Sequence, residues 1–190
     1  FIQWIFSDEP NPYNSFGNGA AMRVSPVAYI ARSEAEVLAL AKTVTEVTHN
    51  HPEGIKGAQA TALAIWYGLE DYLQSELRHS KLMDFYPDFQ DVYFIDIDDS
   101  FPRDTSCQRT VPYALLAFLD SDDFECAIRN AISLGGDTDT LAAITGSIAE
   151  AYFPVQPEFI LSAYKYLDQT LIDIITNWHD FLKTLPKRAN

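Results

Sequence analysis

Positive charge is scarce in this chain. Thirteen Lys and Arg stand against 27 Asp and Glu, for a formal net charge of -14. That balance argues against non-specific binding to nucleic acid or to an anionic membrane surface, both of which need clustered cations. It still admits an anionic small ligand, because backbone amides at a helix start hold phosphate without any cationic patch. The one concentrated basic stretch, Lys183 to Arg188, is too short to change this. Cysteine is nearly absent. Cys107 and Cys126 make neither a disulfide framework nor a zinc set, so a reducing, cytoplasmic setting is the expectation. No apolar run is long enough to cross a bilayer and no signal peptide is visible. Gly-x-Ser-x-Gly is missing, and Cys107 has no marked histidine partner, so no nucleophilic triad is apparent. The chain has no internal repeat, no low-complexity tract and no composition break.

What is present is apolar and punctuated for helix. Hydrophobic residues make up 47% of 190 residues, enough to bury a substantial core, and residues 1–190 are expected to form one domain. Ser33-Glu34-Ala35-Glu36 reads as a capping box ahead of Val37, Leu38, Ala41 and Val44 at helical spacing. Pro52 stands where a helix begins, and the alanine-rich stretch Ile55 to Leu73 follows, its helix ending near Gly68 or beyond. Further helices are expected from Thr110-Val111-Pro112 through Phe118, from Asp122 to Leu134, and from Thr138 to Phe153 with a small-residue face of Ala142, Gly146 and Ala149. Glu158 to Leu185 reads as one long helix or two short ones. Asp84 to Arg109 reads as an irregular connection, with a short strand expected at Tyr93 to Ile97.

Leu134-Gly135-Gly136-Asp137-Thr138-Asp139-Thr140 is the most informative stretch. It packs two carboxylates and two hydroxyls into four residues after a glycine pair. Two readings fit it. Gly135 and Gly136 end one helix and Asp137 caps the next; or Asp137, Asp139 and Thr140 converge in front of a helix as all-oxygen ligands for a hard cation. A second stretch, Tyr13-Asn14-Ser15-Phe16-Gly17-Asn18-Gly19-Ala20-Ala21-Met22-Arg23, places two glycines beside Asn and Ser just before helix-forming residues. It reads as a phosphate-approaching loop or as an ordinary Asn-Gly turn, and it lacks the order of a Walker or Rossmann fingerprint. In the third, Thr48-His49-Asn50-His51-Pro52, the histidines suit a metal, a sugar or phosphate contact, or a helix cap. His79, His179, Asp98-Asp99 and Asp122-Asp123 read as solvated or capping residues.

Taken together, the stretches Tyr13 to Pro26, Val47 to Ala60, Ser106 to Pro112, and Ala127 to Ser133 running into Gly135 to Thr140 resemble the ADP-ribosylglycohydrolase family, in particular its small bacterial members. They occur in family order and cover most of Pro12 to Phe153. The resemblance implies an all-α, roughly orthogonal helical bundle with a two-magnesium site in a central cleft, manganese being an alternative. Asp137, Asp139 and Thr140 match the family's C-terminal metal ligands. Ser15, Phe16, Gly17, Asn18 and Gly19 match the loop that holds the diphosphate and nearby ribose of ADP-ribose, and His49 matches a substrate-contacting histidine. The implied reaction is hydrolysis of the bond between ADP-ribose and an acceptor, such as a side chain of a modified protein. The chain departs from the family tolerably at Tyr113, where small bacterial members often have Glu, and at Phe153-Pro154, which lacks the usual Gly, and more seriously in one region. It contains no Thr-Asp-Asp and opens abruptly on Phe1-Ile2-Gln3-Trp4-Ile5-Phe6, so the N-terminal helices, further metal ligands and an acidic catalytic residue are expected upstream. The resemblance therefore leaves two expectations: a hydrolase seen as its C-terminal portion, associating with the upstream segment or with itself, or a non-catalytic relative that binds ADP-ribose or a partner.

Overall fold

The computed structural model describes residues 2–77, 80–97 and 104–186. Its elements are helical. In chain order they are α1 (Ile2–Ile5), α2 (Gly19–Met22), α3 (Ser25–Ile30), α4 (Glu34–Thr45), α5 (Pro52–Leu69), α6 (Gln74–Leu77), α7 (Cys107–Leu119), α8 (Phe124–Ser133), α9 (Thr138–Tyr152), α10 (Pro157–Tyr164) and α11 (Gln169–Thr184). Among the described residues, three short 3-10 turns lie between α6 and α7. Among the described residues the only β pairing is an isolated bridge between Gly17 and Ser106. The expected all-α class holds.

The middle of the bundle is α5. Pro52 opens it at the first turn, where a missing amide costs nothing. Ala58 and every residue from Ala60 to Gly68 are buried, so the helix has almost no solvent face. A helix apolar on all sides belongs in a core, and α5 packs against α2, α3, α4, α7 and α9. Small residues let neighbours come close: a Cβ on Gly57 would stand 2.7 Å from Cys107 Sγ on α7. Among the described residues no helix is long and apolar enough to cross a membrane.

Local chemistry sets the other boundaries. Ser33 accepts the Glu36 amide at 3.2 Å, while the Glu36 carboxylate reaches one residue further back, to the Arg32 amide at 2.7 Å. Asp123 and Asp168 cap α8 and α11 through the amides of Cys126 and Leu171. Asp122 and His179 are exposed, as expected; His79 and the Asp98-Asp99 pair lie outside the described residues, as do Phe1 and the end of the basic stretch from Lys187 onward.

Two expectations need correction, and one open alternative is decided. Tyr93 to Ile97 is not a strand: Phe94–Asp96 is a 3-10 turn, in which Asp96 accepts the Tyr93 amide and Phe94 donates to Asp120. An apolar run with no neighbouring strand has nothing to pair with, and the local acceptor wins. The helix expected from Thr110 begins three residues earlier, at Cys107, and carries Pro112 inside it. The bridge at Ser106 starts that helix early. Glu158 to Leu185 resolves into two helices, α10 and α11, separated at Lys165 to Asp168. Neither of the pair has a fully buried residue. They rest over a cavity of about 590 Å³ beside Tyr29, Phe124 and Ser147, with Trp178 edge-on to Tyr29 at 6.2 Å.

Candidate functional site

The loop before α2 is stitched to the segment before α7. The Asn18 amide donates to the Thr105 carbonyl at 2.7 Å, and the Cys107 amide donates to the Phe16 carbonyl at 2.8 Å. The Cys107 thiol adds a third tie, to the Gly17 carbonyl at 3.2 Å. That thiol is no nucleophile. Burial pushes it up to about 12, so it stays protonated at neutral pH.

From this anchored loop the buried Asn18 side chain reaches across to the acidic turn. Its Nδ2 donates to Asp137 Oδ2 at 2.6 Å and to Thr110 Oγ1 at 3.1 Å. Thus two stretches 119 residues apart in sequence meet through one amide. Gly135 and Gly136 make the approach possible. Both adopt left-handed backbone, with φ of +74° and +68°, and turn the chain sharply between α8 and α9. Asp137 occupies the N-cap position of α9 but makes no side-chain capping bond. A cap alone does not explain this carboxylate, since it is directed at Asn18. Asp139 is exposed and uses Oδ1 to accept the Thr140 amide at 2.9 Å. Thr140 is buried, its hydroxyl 3.7 Å from Met22 Sδ.

His49 closes the other side of the loop. It is buried, and its Nδ1 faces Thr48 Oγ1 at 2.7 Å and Arg23 Nη2 at 3.4 Å. Burial, and then the Arg23 charge, hold its pKa below 6.5. Arg23 is tied to the same loop, donating from Nε to the Gly19 carbonyl at 2.7 Å. His51 does something different: its Nδ1 accepts the Glu53 amide at 3.1 Å and caps α5. The two Nδ1 atoms therefore serve different partners. Phe16 is half exposed and packs edge-on to the His51 ring at 5.4 Å. Asn50 Oδ1 takes the amide of Asn14, which sits at φ +56°.

The loop glycines act through the side chains they lack, not through unusual backbone angles. Neither Gly17 nor Gly19 needs positive φ, and a Cβ on either has ordinary contact distance to its neighbours. Both of these Cβ positions lie 3.6 Å from His49 Nε2, so the missing side chains leave space in front of that nitrogen. Beside the loop, Gly54 excludes a side chain, since a Cβ there would stand 2.9 Å from the Ser15 carbonyl. Two loop amides are already committed, Asn18 to Thr105 and Gly17 to Ser15 Oγ at 3.2 Å. The amides of Ala20, Ala21 and Met22 in α2 are committed as well, to the Gly17 and Asn18 carbonyls, so the helix start is not rich in free amides, contrary to one of the sequence readings. Sequence reasoning gave no role to Thr48, Thr110 or Gly54 or to the Arg23 side chain. Each lies inside a stretch that it did quote, which was the available signal.

Among the described residues no three His, Cys, Asp or Glu side chains group as a metal site. Asp137, Asp139 and Thr140 provide oxygen donors only, from one helix start.

A profile of the ADP-ribosylglycohydrolase family matches residues 2–158. Among related proteins, ADP-ribosylhydrolase ARH3 of Gallus gallus is 28% identical, over 75% of this chain and 51% of its own length. ARH3 of Homo sapiens is 26% identical, over 75% and 52%. A solved structure described as an ADP-ribosylglycohydrolase-related protein complex superimposes with a TM-score of 0.66 at 26% identity, covering 80% of this chain and 56% of that one. The chain thus spans about half the length of the relatives it matches. With the profile match running from α1 into α10, this chain belongs to the ADP-ribosylglycohydrolase family.

Proposed function

We propose that this chain is the ADP-ribose-binding portion of an ADP-ribosyl hydrolase, with Ser15 to Gly19 and His49 on the nucleotide side and Asp137, Asp139 and Thr140 on the metal side. The observation that carries the reading is the Asn18–Asp137 hydrogen bond, which joins the glycine loop to the acidic turn. Two stretches with unrelated structural duties have no reason to meet through a buried amide.

The donor set suits magnesium, or manganese, in chemistry. Hard cations take carboxylate and hydroxyl oxygens, and magnesium keeps several of its waters. Asp137 and Asp139 would hold it, with Thr140 contributing a hydroxyl. Bound there, it would supply positive charge for orienting ribose hydroxyls and water. The chain's own residues do the rest. Asn18 holds Asp137 by a charge-assisted bond and so fixes one carboxylate oxygen. The stitched loop holds the sugar-diphosphate end still. Buried His49 faces the same gap.

Calorimetric titration with ADP-ribose, with and without magnesium, tests the proposal. Saturable ADP-ribose binding that Asp139→Ala makes independent of magnesium is the expected result. Magnesium affinity unchanged in that variant would overturn the metal assignment, and no ADP-ribose binding by the unaltered chain would overturn the rest.

A further inference from the structure

The arrangement around His49 determines which of its nitrogens carries the proton. Nδ1 faces Arg23 Nη2 at 3.4 Å and Thr48 Oγ1 at 2.7 Å. A guanidinium has only donors. A proton on Nδ1 would point one donor at another, whereas a bare Nδ1 accepts from both Arg23 and the Thr48 hydroxyl. The imidazole proton is therefore on Nε2. Burial and the nearby Arg23 charge also disfavour the doubly protonated ring. Nε2 is turned toward the loop, 3.6 Å from where a Cβ would stand on Gly17 and equally far from one on Gly19. Among the described residues none is hydrogen-bonded to it. A ring that is 94% buried thus keeps one N–H open, in a gap that two glycines leave clear; its relative exposure is 6%.

We propose that Arg23 and Thr48 are positioning residues that lock His49 as an Nε2–H donor, so that the loop gap accepts a ligand oxygen and rejects a ligand donor. Taking that oxygen as one of ADP-ribose rests on the function proposed above; the tautomer does not. Arg23 has a second hold on the same spot through Gly19, which keeps its guanidinium in place beside Nδ1. The consequence is a polarity filter. A phosphate, ether or hydroxyl oxygen is bound at Nε2, and an ammonium or amide N–H at the same point is left facing another donor, which is costly in a desolvated gap.

Long-range nitrogen–proton correlation spectra of the imidazole, recorded on the full chain at neutral pH, read the tautomer directly. The expected pattern for His49 is Nε2–H. An Nδ1–H pattern, or the imidazolium pattern, overturns the inference. Thr48→Val keeps the shape and removes the hydroxyl; Arg23→Met removes the charge and donors from an exposed side chain. Each is expected to shift His49 toward mixed tautomers and to weaken ADP-ribose binding about five- to tenfold, the worth of one hydrogen bond, and Thr48→Ser is expected to restore both. If Thr48→Val does not fold, Arg23→Met carries the comparison, with its melting temperature near that of the parent. An unchanged tautomer in Arg23→Met overturns the role of Arg23. If the parent chain shows the Nε2–H pattern and binds no ADP-ribose, the functional reading fails while the locked tautomer stands.

Discussion

The Asn18 amide nitrogen lies 2.6 Å from Asp137 Oδ2 and 3.1 Å from Thr110 Oγ1, so one buried side chain joins the loop before α2, the start of α7 and the turn before α9. Asn18→Leu would leave Asp137 without this donor. A charged acceptor that loses a buried partner costs about 1–3 kcal/mol, and a drop of that size in chemical unfolding free energy is expected. Asn18→Asp is expected to be worse, since it sets one carboxylate against another. Urea melts of the three proteins, compared at constant pH and salt, provide the check.

Asp137 and Asp139 are expected to separate in their effects. Asp139 is exposed, and its Oδ1 accepts the amide of its neighbour Thr140. Asp139→Ala is expected to cost about 1 kcal/mol or less, the usual worth of an acidic residue in a first helical turn, and to abolish magnesium binding. Asp137→Ala is expected to lose both stability and metal, because it also strands Asn18. Paired thermal melts and magnesium titrations would reveal the difference.

Stability should fall on the acid side through His49. Its folded pKa lies below the unfolded value of 6.5, so the unfolded chain binds the proton more readily. This contribution is complete above pH 6.5 and is lost progressively as pH falls from 6.5 toward the lower folded value. His49→Gln is expected to flatten that part of the stability–pH curve, measured by urea denaturation at a series of pH values. An equal slope in both proteins would show that other groups carry it.

Gly54 and Gly135 offer a contrast between crowding and backbone freedom. A Cβ on Gly54 would meet the Ser15 carbonyl at 2.9 Å, with His49 Cβ and carbonyl both at 3.3 Å. Nothing stands within 4 Å of a Cβ on Gly135, but its φ is +74°. Gly54→Ala is expected to cost about 1–3 kcal/mol by overpacking and to displace the Ser15 to Gly19 loop. Gly135→Ala is expected to cost about 1 kcal/mol through the left-handed backbone alone. Only the first should weaken ADP-ribose binding beyond what its stability loss explains.

The two thiols should react at very different rates. Cys107 is fully buried and held up to about 12, whereas Cys126 is partly exposed on α8. A disulfide reagent such as Ellman's is expected to modify one thiol in the folded chain and both in denaturant. Rapid labelling of Cys107 in the native protein would contradict the packing of α7 against α5.

Much of this architecture is legible in the residues, because helices advertise themselves locally. Ser33, Pro52, Asp123 and the run after Thr138 signal helix starts by their own side chains, and the structure puts helices there. The start of α7 was hidden, since Cys107 begins that helix on account of a bridge to Gly17, ninety residues earlier. The same holds for the site. The loop and the acidic turn stand out in the sequence by composition, but their union through Asn18 depends on tertiary packing that no local pattern encodes. Thr48 was invisible for a different reason: its importance lies in a hydroxyl turned toward the next residue's ring.

The final two helices have a consequence for how the molecule comes apart. With no fully buried residue in α10 or α11, and a cavity of about 590 Å³ beneath them, their attachment depends on partly covered side chains such as Trp178 on Tyr29 and on the Arg32 bond to the Pro186 carbonyl at 3.0 Å. Segments with so little buried surface open at a free energy below that of the whole. Amide hydrogens in α11 should therefore exchange with deuterium well before those of α5, and limited proteolysis should cut first near Pro154 to Gln156, detaching the C-terminal pair as a unit while the helices that hold Asn18, His49 and Asp137 remain folded.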